Sequence, residues 1–74
     1  MNFSEAYDVL YEYYPRDRLQ QQYKRERFDN SGTDTVKIHK YHAELLRKQS
    51  YNTKNKAEKD RLSAAAKVFE ELYE

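Results

Sequence analysis

Leu62-Ser63-Ala64-Ala65-Ala66-Lys67-Val68-Phe69-Glu70-Glu71-Leu72-Tyr73 is the stretch that decides the fold. Leu62, Ala65, Ala66, Phe69, Leu72 and Tyr73 fall at i, i+3, i+4, i+7, i+10 and i+11, the spacing of one face of an α-helix. Ala64 adds helix propensity without adding bulk. Just upstream, Asn55 with Glu58 three residues later resembles a capping box, with Asn in place of the usual Ser or Thr. A helix patterned this way must bury its stripe against other elements, and the remaining chain offers helices for the purpose.

Tyr51-Asn52-Thr53 reads as a turn before this final helix. Upstream, Ile38, Tyr41, His42, Leu45, Leu46 and Gln49 keep helical spacing, which predicts a helix to about Ser50 with Thr33 or Asp34 as its cap. Thr35, Val36 and Ile38 would also suit a short strand. Asp29-Asn30-Ser31-Gly32 is a loop, with a breaker at almost every position. At the amino terminus, Ser4 is a candidate N-cap for a helix running from Glu5 to Tyr14. Pro15 ends that helix and can open a second one, reaching to about Arg27. This second segment is thin in apolar residues: Leu19 and Tyr23 at i, i+4, then Phe28. The expected architecture is all-α, a small bundle of three to four helices forming a single domain over residues 1–74. Its core is expected from the first, third and fourth helices. The second segment is expected to be a solvated strut or a contact surface.

A chain of 74 residues buries only about 60% of its unfolded surface and has little stability in reserve. Cysteine is absent, which removes disulfides and thiolate metal sites together. Self-association is the remaining remedy, and a homodimer is the expectation. Fourteen Lys and Arg stand against thirteen Asp and Glu, so a net charge of +1 supplies no global field for DNA or an anionic membrane. The charges are nevertheless segregated. Residues 1–14 carry Glu5, Asp8 and Glu12 and no base. Residues 15–28 carry Arg16, Arg18, Lys24, Arg25 and Arg27 against Asp17 and Glu26. No run approaches the length of a membrane span, and no basic residues precede an apolar run at the amino terminus, so the cytoplasm is the expected location.

Four of the eight tyrosines, Tyr7, Tyr11, Tyr13 and Tyr14, fall in the first fourteen residues beside Phe3, Val9 and Leu10. On a helix these positions cover an arc of roughly 200°, about twice the stripe that seals one core. Tyrosine and arginine are enriched at binding hot spots, and here they occupy adjoining segments. A protein-binding surface of Glu5, Tyr7, Asp8, Tyr11, Glu12, Tyr14, Arg18, Tyr23 and Arg25 is therefore expected.

The same basic segment, with Gln20, Gln21 and Gln22 interspersed, holds residue types that read bases in a major groove. A turn at Asp29 to Gly32, followed by a helix exposing Lys37, Lys40, Arg47 and Lys48, resembles a helix-turn-helix in a generic way. A small DNA-binding regulator is thus the alternative reading. His39 and His42, at i, i+3, can share a metal, but a third ligand is not evident and no metal or other cofactor is expected. His42 is expected at the edge of the core stripe and His39 in solvent. With no glycine-rich phosphate loop and no nucleophile-base set, an enzyme is not expected.

A short, cysteine-free chain rich in Tyr, Asn, Lys and Gln resembles the small early proteins of tailed bacteriophages. The resemblance implies a protein that binds a host replication or transcription protein and disables it in the bacterial cytoplasm. Small inhibitors of the bacterial DNA sliding clamp are similar in size, which makes the clamp the specific expectation. Gln20-Gln21-Gln22-Tyr23 and the run from Gln22 to Phe28 depart from the usual clamp-binding peptide, a glutamine followed by aliphatic residues and a terminal aromatic. The implied mode is instead a mixed-charge body in the basic channel, presenting Glu5, Asp8 and Glu12 to its lining.

Overall fold

The Ala-rich stripe of residues 62–69 does form the centre of the molecule. In the computed structural model, which describes residues 1–29, 32 and 34–72, it belongs to the last of four helices: α1 (Phe3–Tyr13), α2 (Arg16–Arg25), α3 (Thr35–Asn52) and α4 (Lys56–Glu70). No strand occurs among the described residues. Leu62, Ala65, Ala66 and Phe69 of α4 retain no exposure. The Asn55 side chain caps α4, accepting from the Glu58 N–H at 3.1 Å. The helix ends at Glu70, one turn short of the sequence pattern. Leu72 is consequently exposed, and Tyr73 lies outside the described residues.

Residues 53–55 turn the chain back, so α3 and α4 form an antiparallel pair. Ser50 and Ser63 share a 3.0 Å hydrogen bond near the turn, and Arg47 grips Glu70 through two bonds of 2.6 and 3.1 Å farther along. α3 starts at Thr35 and is helical through Val36 and Ile38, which removes the strand option. It also runs two residues past Ser50: Tyr51 and Asn52 are helical, and the turn begins at Thr53, whose N–H still bonds the Gln49 carbonyl at 3.1 Å. Thr33, one of the two candidate caps, and Asn30 and Ser31 of the expected loop lie outside the described residues. Asp34 occupies the cap position without a side-chain capping bond. Its carboxylate instead accepts from the Asp29 N–H at 2.7 Å, fastening the two ends of the loop.

α1 is laid across this pair and buries Ala6, Val9 and Leu10. Its cap is Asn2, not Ser4. Asn2 accepts from the Glu5 N–H at 2.8 Å while its own N–H donates to the Glu5 carboxylate at 3.2 Å. Only from Asn2 does an acid fall at the third helical position, so two otherwise orphaned donors are satisfied at once. The helix stops at Tyr13 because Pro15 restricts the residue before it, and Tyr14 is extended.

α2 runs back from Pro15 and contributes Leu19 and Tyr23 to the core. That corrects the view of this segment as only a strut or contact surface. Its end is a Schellman turn, with Arg27 N–H to the Lys24 carbonyl at 3.1 Å and Phe28 N–H to the Tyr23 carbonyl at 2.9 Å. Arg27 holds the left-handed position with φ 59°, a place usually filled by glycine.

Candidate functional site

α3 carries a polar residue in the middle of its apolar stripe, and the structure buries it. His42 is 1% exposed, seated among Tyr7 of α1, Tyr23 of α2 and Phe69 of α4, with ring centroids at 5.4, 5.8 and 5.0 Å. Its Nε2 shares a hydrogen bond with the Tyr23 hydroxyl, which is what fixes α2 to the bundle at this point. His39 lies one turn earlier, stacked on Phe69 at 5.9 Å and edge-on to Phe3 at 5.8 Å. The expectation of His42 at a stripe edge and His39 in solvent is therefore wrong. Burial makes the charged imidazole costly. His42 is pushed down to about 4, first by desolvation and then by the neighbouring His39. Desolvation also lowers His39 and raises the Tyr23 phenol. Nδ1 of each histidine is buried without a hydrogen-bond partner. No group of three His, Asp, Glu or Cys side chains able to hold a metal occurs among the described residues. The cluster is an aromatic joint between four helices.

The nine residues expected to form one partner surface are divided by this packing. Tyr23 is in the core, only 7% exposed, and cannot touch a partner. Its hydroxyl has an internal acceptor, so the phenol gains burial without losing its hydrogen bond. Tyr7 is partly buried, edge-on to Phe69 at 5.1 Å. Tyr14 is partly buried too, accepting from the Gln49 amide at 2.9 Å and reaching the Leu45 carbonyl at a long 3.5 Å. Tyr13 donates to Glu58 of α4 at 2.6 Å. The wide aromatic arc of α1 thus serves two neighbours, α3 on one side and α4 on the other. This is why it exceeds a single stripe.

Glu5, Asp8, Tyr11, Glu12, Arg18 and Arg25 remain exposed. Glu5, Asp8 and Glu12 follow at i, i+3 and i+7 and form an acidic stripe along the outer side of α1. Glu12 pairs with Arg61 of α4, which also binds Glu58 at 2.9 Å, and Glu5 is engaged in the cap. Arg18 and Arg25 lie elsewhere. They flank Gln22, whose side chain accepts from the Tyr41 hydroxyl of α3. The acidic and basic residues therefore belong to different surfaces, one on α1 and one where α2 meets α3. Gln22 and Tyr41 are the polar tips by which α2 and α3 meet, a pairing that only the fold reveals.

Two of the grooves among the described residues lie along α3. One, of about 400 Å³, runs beside α3 between Ala43, Arg47, Tyr51 and Glu70. The other, of about 390 Å³, lies at the contact of α2 with α3 and is lined by Glu26, Phe28, Lys37, Lys40, Tyr41 and Glu44. At one end of the bundle Phe3, Val36 and Leu72 remain 46%, 57% and 46% exposed. All three lie within a turn of the contact between Phe3, His39 and Phe69. No helix among the described residues is long and apolar enough to cross a membrane. Comparison with protein-family models, with curated proteins and with solved structures finds no match to this chain.

Proposed function

We propose that the chain is a small, non-enzymatic protein-binding module that presents the outer side of α1 to a basic surface on its partner. The observation that carries this reading is the exposed stripe Glu5, Asp8 and Glu12, with Tyr11 beside it. The stripe stands on a helix fastened to α4 through Tyr13–Glu58 and to α3 through Tyr14–Gln49. A rigid, pre-ordered face loses little conformational entropy on binding, and an acidic one steers toward a basic partner. The resemblance to phage early proteins makes that partner a bacterial replication or transcription protein in the host cytoplasm, and the basic channel of the DNA sliding clamp the specific choice.

Co-elution with a purified bacterial clamp, and loss of clamp-dependent DNA synthesis, tests the choice. Tyr11→Ala is expected to cost about 2 kcal/mol of affinity if its ring is enclosed at the contact. Asp8→Lys is expected to slow association most at low salt. A complex indifferent to both substitutions would remove α1 as the contact. Self-association belongs to the same reading, with the apolar end formed by Phe3, Val36 and Leu72 as the surface covered by a second copy. Sedimentation at micromolar concentration tests it, and a 9.0 kDa species alone would discard the dimer.

A further inference from the structure

We propose that the seam between α2 and α3 is a binding surface for single-stranded nucleic acid, independent of the protein contact assigned to α1. The seam is marked by the hydrogen bond from the Tyr41 hydroxyl to Gln22. On α2 the positions flanking Gln22 at i−4 and i+3 are Arg18 and Arg25. On α3 the positions reached from Tyr41 at i−4 and i+7 are Lys37 and Lys48, with Lys40 alongside. All five bases are exposed. Among them only Lys37 has an acidic partner in the described residues, the half-buried Asp34 at 3.6 Å, and the Lys37 side chain itself stays exposed. The groove at the seam is lined by Glu26 and Glu44 and continues past Glu44 into a second groove that holds Lys48, Tyr51, Arg47 and Glu70. Along the whole surface six cations, Arg47 included, face four acids, Asp34 included. The whole chain is nearly neutral at +1, and this excess is therefore local.

The seam also has the second component such sites use. Phe28 and Tyr41 meet edge-on at 5.6 Å and floor the groove. Tyr51, one turn beyond Lys48, is 82% exposed, the most exposed large apolar side chain described. No aromatic ring among the described residues packs on it. From Lys37 to Tyr51 the helix rises about 21 Å, enough to follow several nucleotides of a single strand. Bases in rows contact phosphates, while an exposed ring stacks on a base of any identity. An acidic protein would be attracted by the same charges and can also pack on Tyr51, which is why polyglutamate is the control. The row of cations along α3 beside an exposed ring, spaced for successive phosphates and a stacked base, favours a nucleic acid.

The test is fluorescence anisotropy of the full chain with a labelled oligo-dT, the same strand as a duplex, and polyglutamate. Engagement of four to five phosphates predicts a slope of log affinity against log salt of about −3 on the single strand. Affinity should then fall on the order of 50-fold between 50 and 200 mM salt. The double change Arg25→Ala with Lys48→Ala should flatten the slope by about 1.4. Tyr51→Ala should weaken binding roughly tenfold while leaving the slope unchanged, a split that a purely electrostatic contact would not produce. Lys56→Ala with Lys59→Ala, on α4, should change neither quantity. Circular dichroism of each variant verifies that the helices persist. Equal or tighter binding to polyglutamate, preference for duplex, a slope insensitive to Arg25 and Lys48, or no binding at low salt would each overturn the proposal.

Discussion

α4 joins the bundle through Leu62, Ala65, Ala66 and Phe69, none of which keeps any exposure, and its polar contacts lie at the periphery. Among the described residues α2 buries only Leu19 and Tyr23, and two polar bonds to α3, Tyr23–His42 and Tyr41–Gln22, add to its attachment. The two helices are therefore held by different physics. Dispersion and water exclusion, which need no particular charge state, carry most of the attachment of α4, with the Arg47–Glu70 and Glu12–Arg61 ion pairs at its edge. α2 depends on directed bonds to a histidine that must stay neutral. The domain is therefore firmest at α4 and most easily opened at α2.

The largest effect belongs to α4. Phe69 has no exposure and touches rings from α1 and α3, so Phe69→Ala is expected to cost about 3–5 kcal/mol. For a domain of this size, that is a large share of its total stability. Tyr11→Ala, at an exposed position of α1, should cost far less. Urea melts of both variants check the ranking. An unchanged midpoint for Phe69→Ala would mean that the core is not organised around α4.

Next is the acid response of the α2 attachment. His42 ionises near 4 in the fold and near 6.5 when unfolded. Between these values the unfolded chain binds the extra proton, so stability is full above pH 6.5 and falls as pH drops towards 4. The groups around the ring are His39 on its own helix, Tyr7 from α1 and Tyr23 from α2; no carboxylate shifts the ring by direct contact, and α4 offers only Phe69. The loss over that range is about 3 kcal/mol if His42 acts alone. Glu58 and Glu70, whose carboxyls are held low by Arg61 and Arg47, add to the loss only as pH falls through the carboxylate range. Thermal melts from pH 7 to pH 4, with His42→Gln as the comparison, separate the two. A wild-type slope identical to that of the variant would exclude the imidazole as the cause.

How much of this contrast was readable in the residues differs helix by helix. The stripe of α4 was legible because Leu, Ala and Phe at helical spacing have one stable outcome, burial. His42 fell on an equally regular stripe, but a histidine there can be buried neutral or turned to water, and only the arrival of Tyr23 decides. Tyr23 was masked by its neighbours, Gln22, Lys24 and Arg25, although its i, i+4 partnership with Leu19 pointed inward. The Asn2 cap is written in the chain as Asn followed three residues later by Glu5, and Ser4, an equally good capping residue two positions on, competes with it at the level of sequence. Of the expected partner surface, the exposed charges were legible from composition. Their division was not, since it depends on which side of α2 meets α3.

Tyr23→Phe isolates the directed bond itself. The ring and its packing remain, while His42 Nε2 loses its partner inside the core. An unsatisfied buried group of this kind costs about 1–3 kcal/mol. Hydrogen exchange should place that loss mostly in the amides of α2, with those of α4 following global unfolding. Equal protection loss in both helices would show that α2 and α4 form one cooperative unit and that the contrast drawn between them is too sharp.

The smallest effect turns on Arg27. It occupies the left-handed position that closes α2, where a side chain with Cβ is disfavoured by about 1–2 kcal/mol relative to the right-handed region. Glycine removes that strain but loses more backbone entropy on folding, so Arg27→Gly should stabilise by about 1 kcal/mol at most. Arg27 is exposed and has no part in the Tyr23–His42 bond, so the substitution acts on the end of the helix alone. If the polar attachment couples α2 to the core, the gain appears in the global midpoint at pH 7. At pH 4, where the neutral His42 is half lost, the same gain should be confined to the amides of α2. A gain in the midpoint of equal size at both pH values would mean that dispersion from Leu19 and Tyr23 suffices to hold the helix, and that its hydrogen bond to His42 orients α2 without securing it.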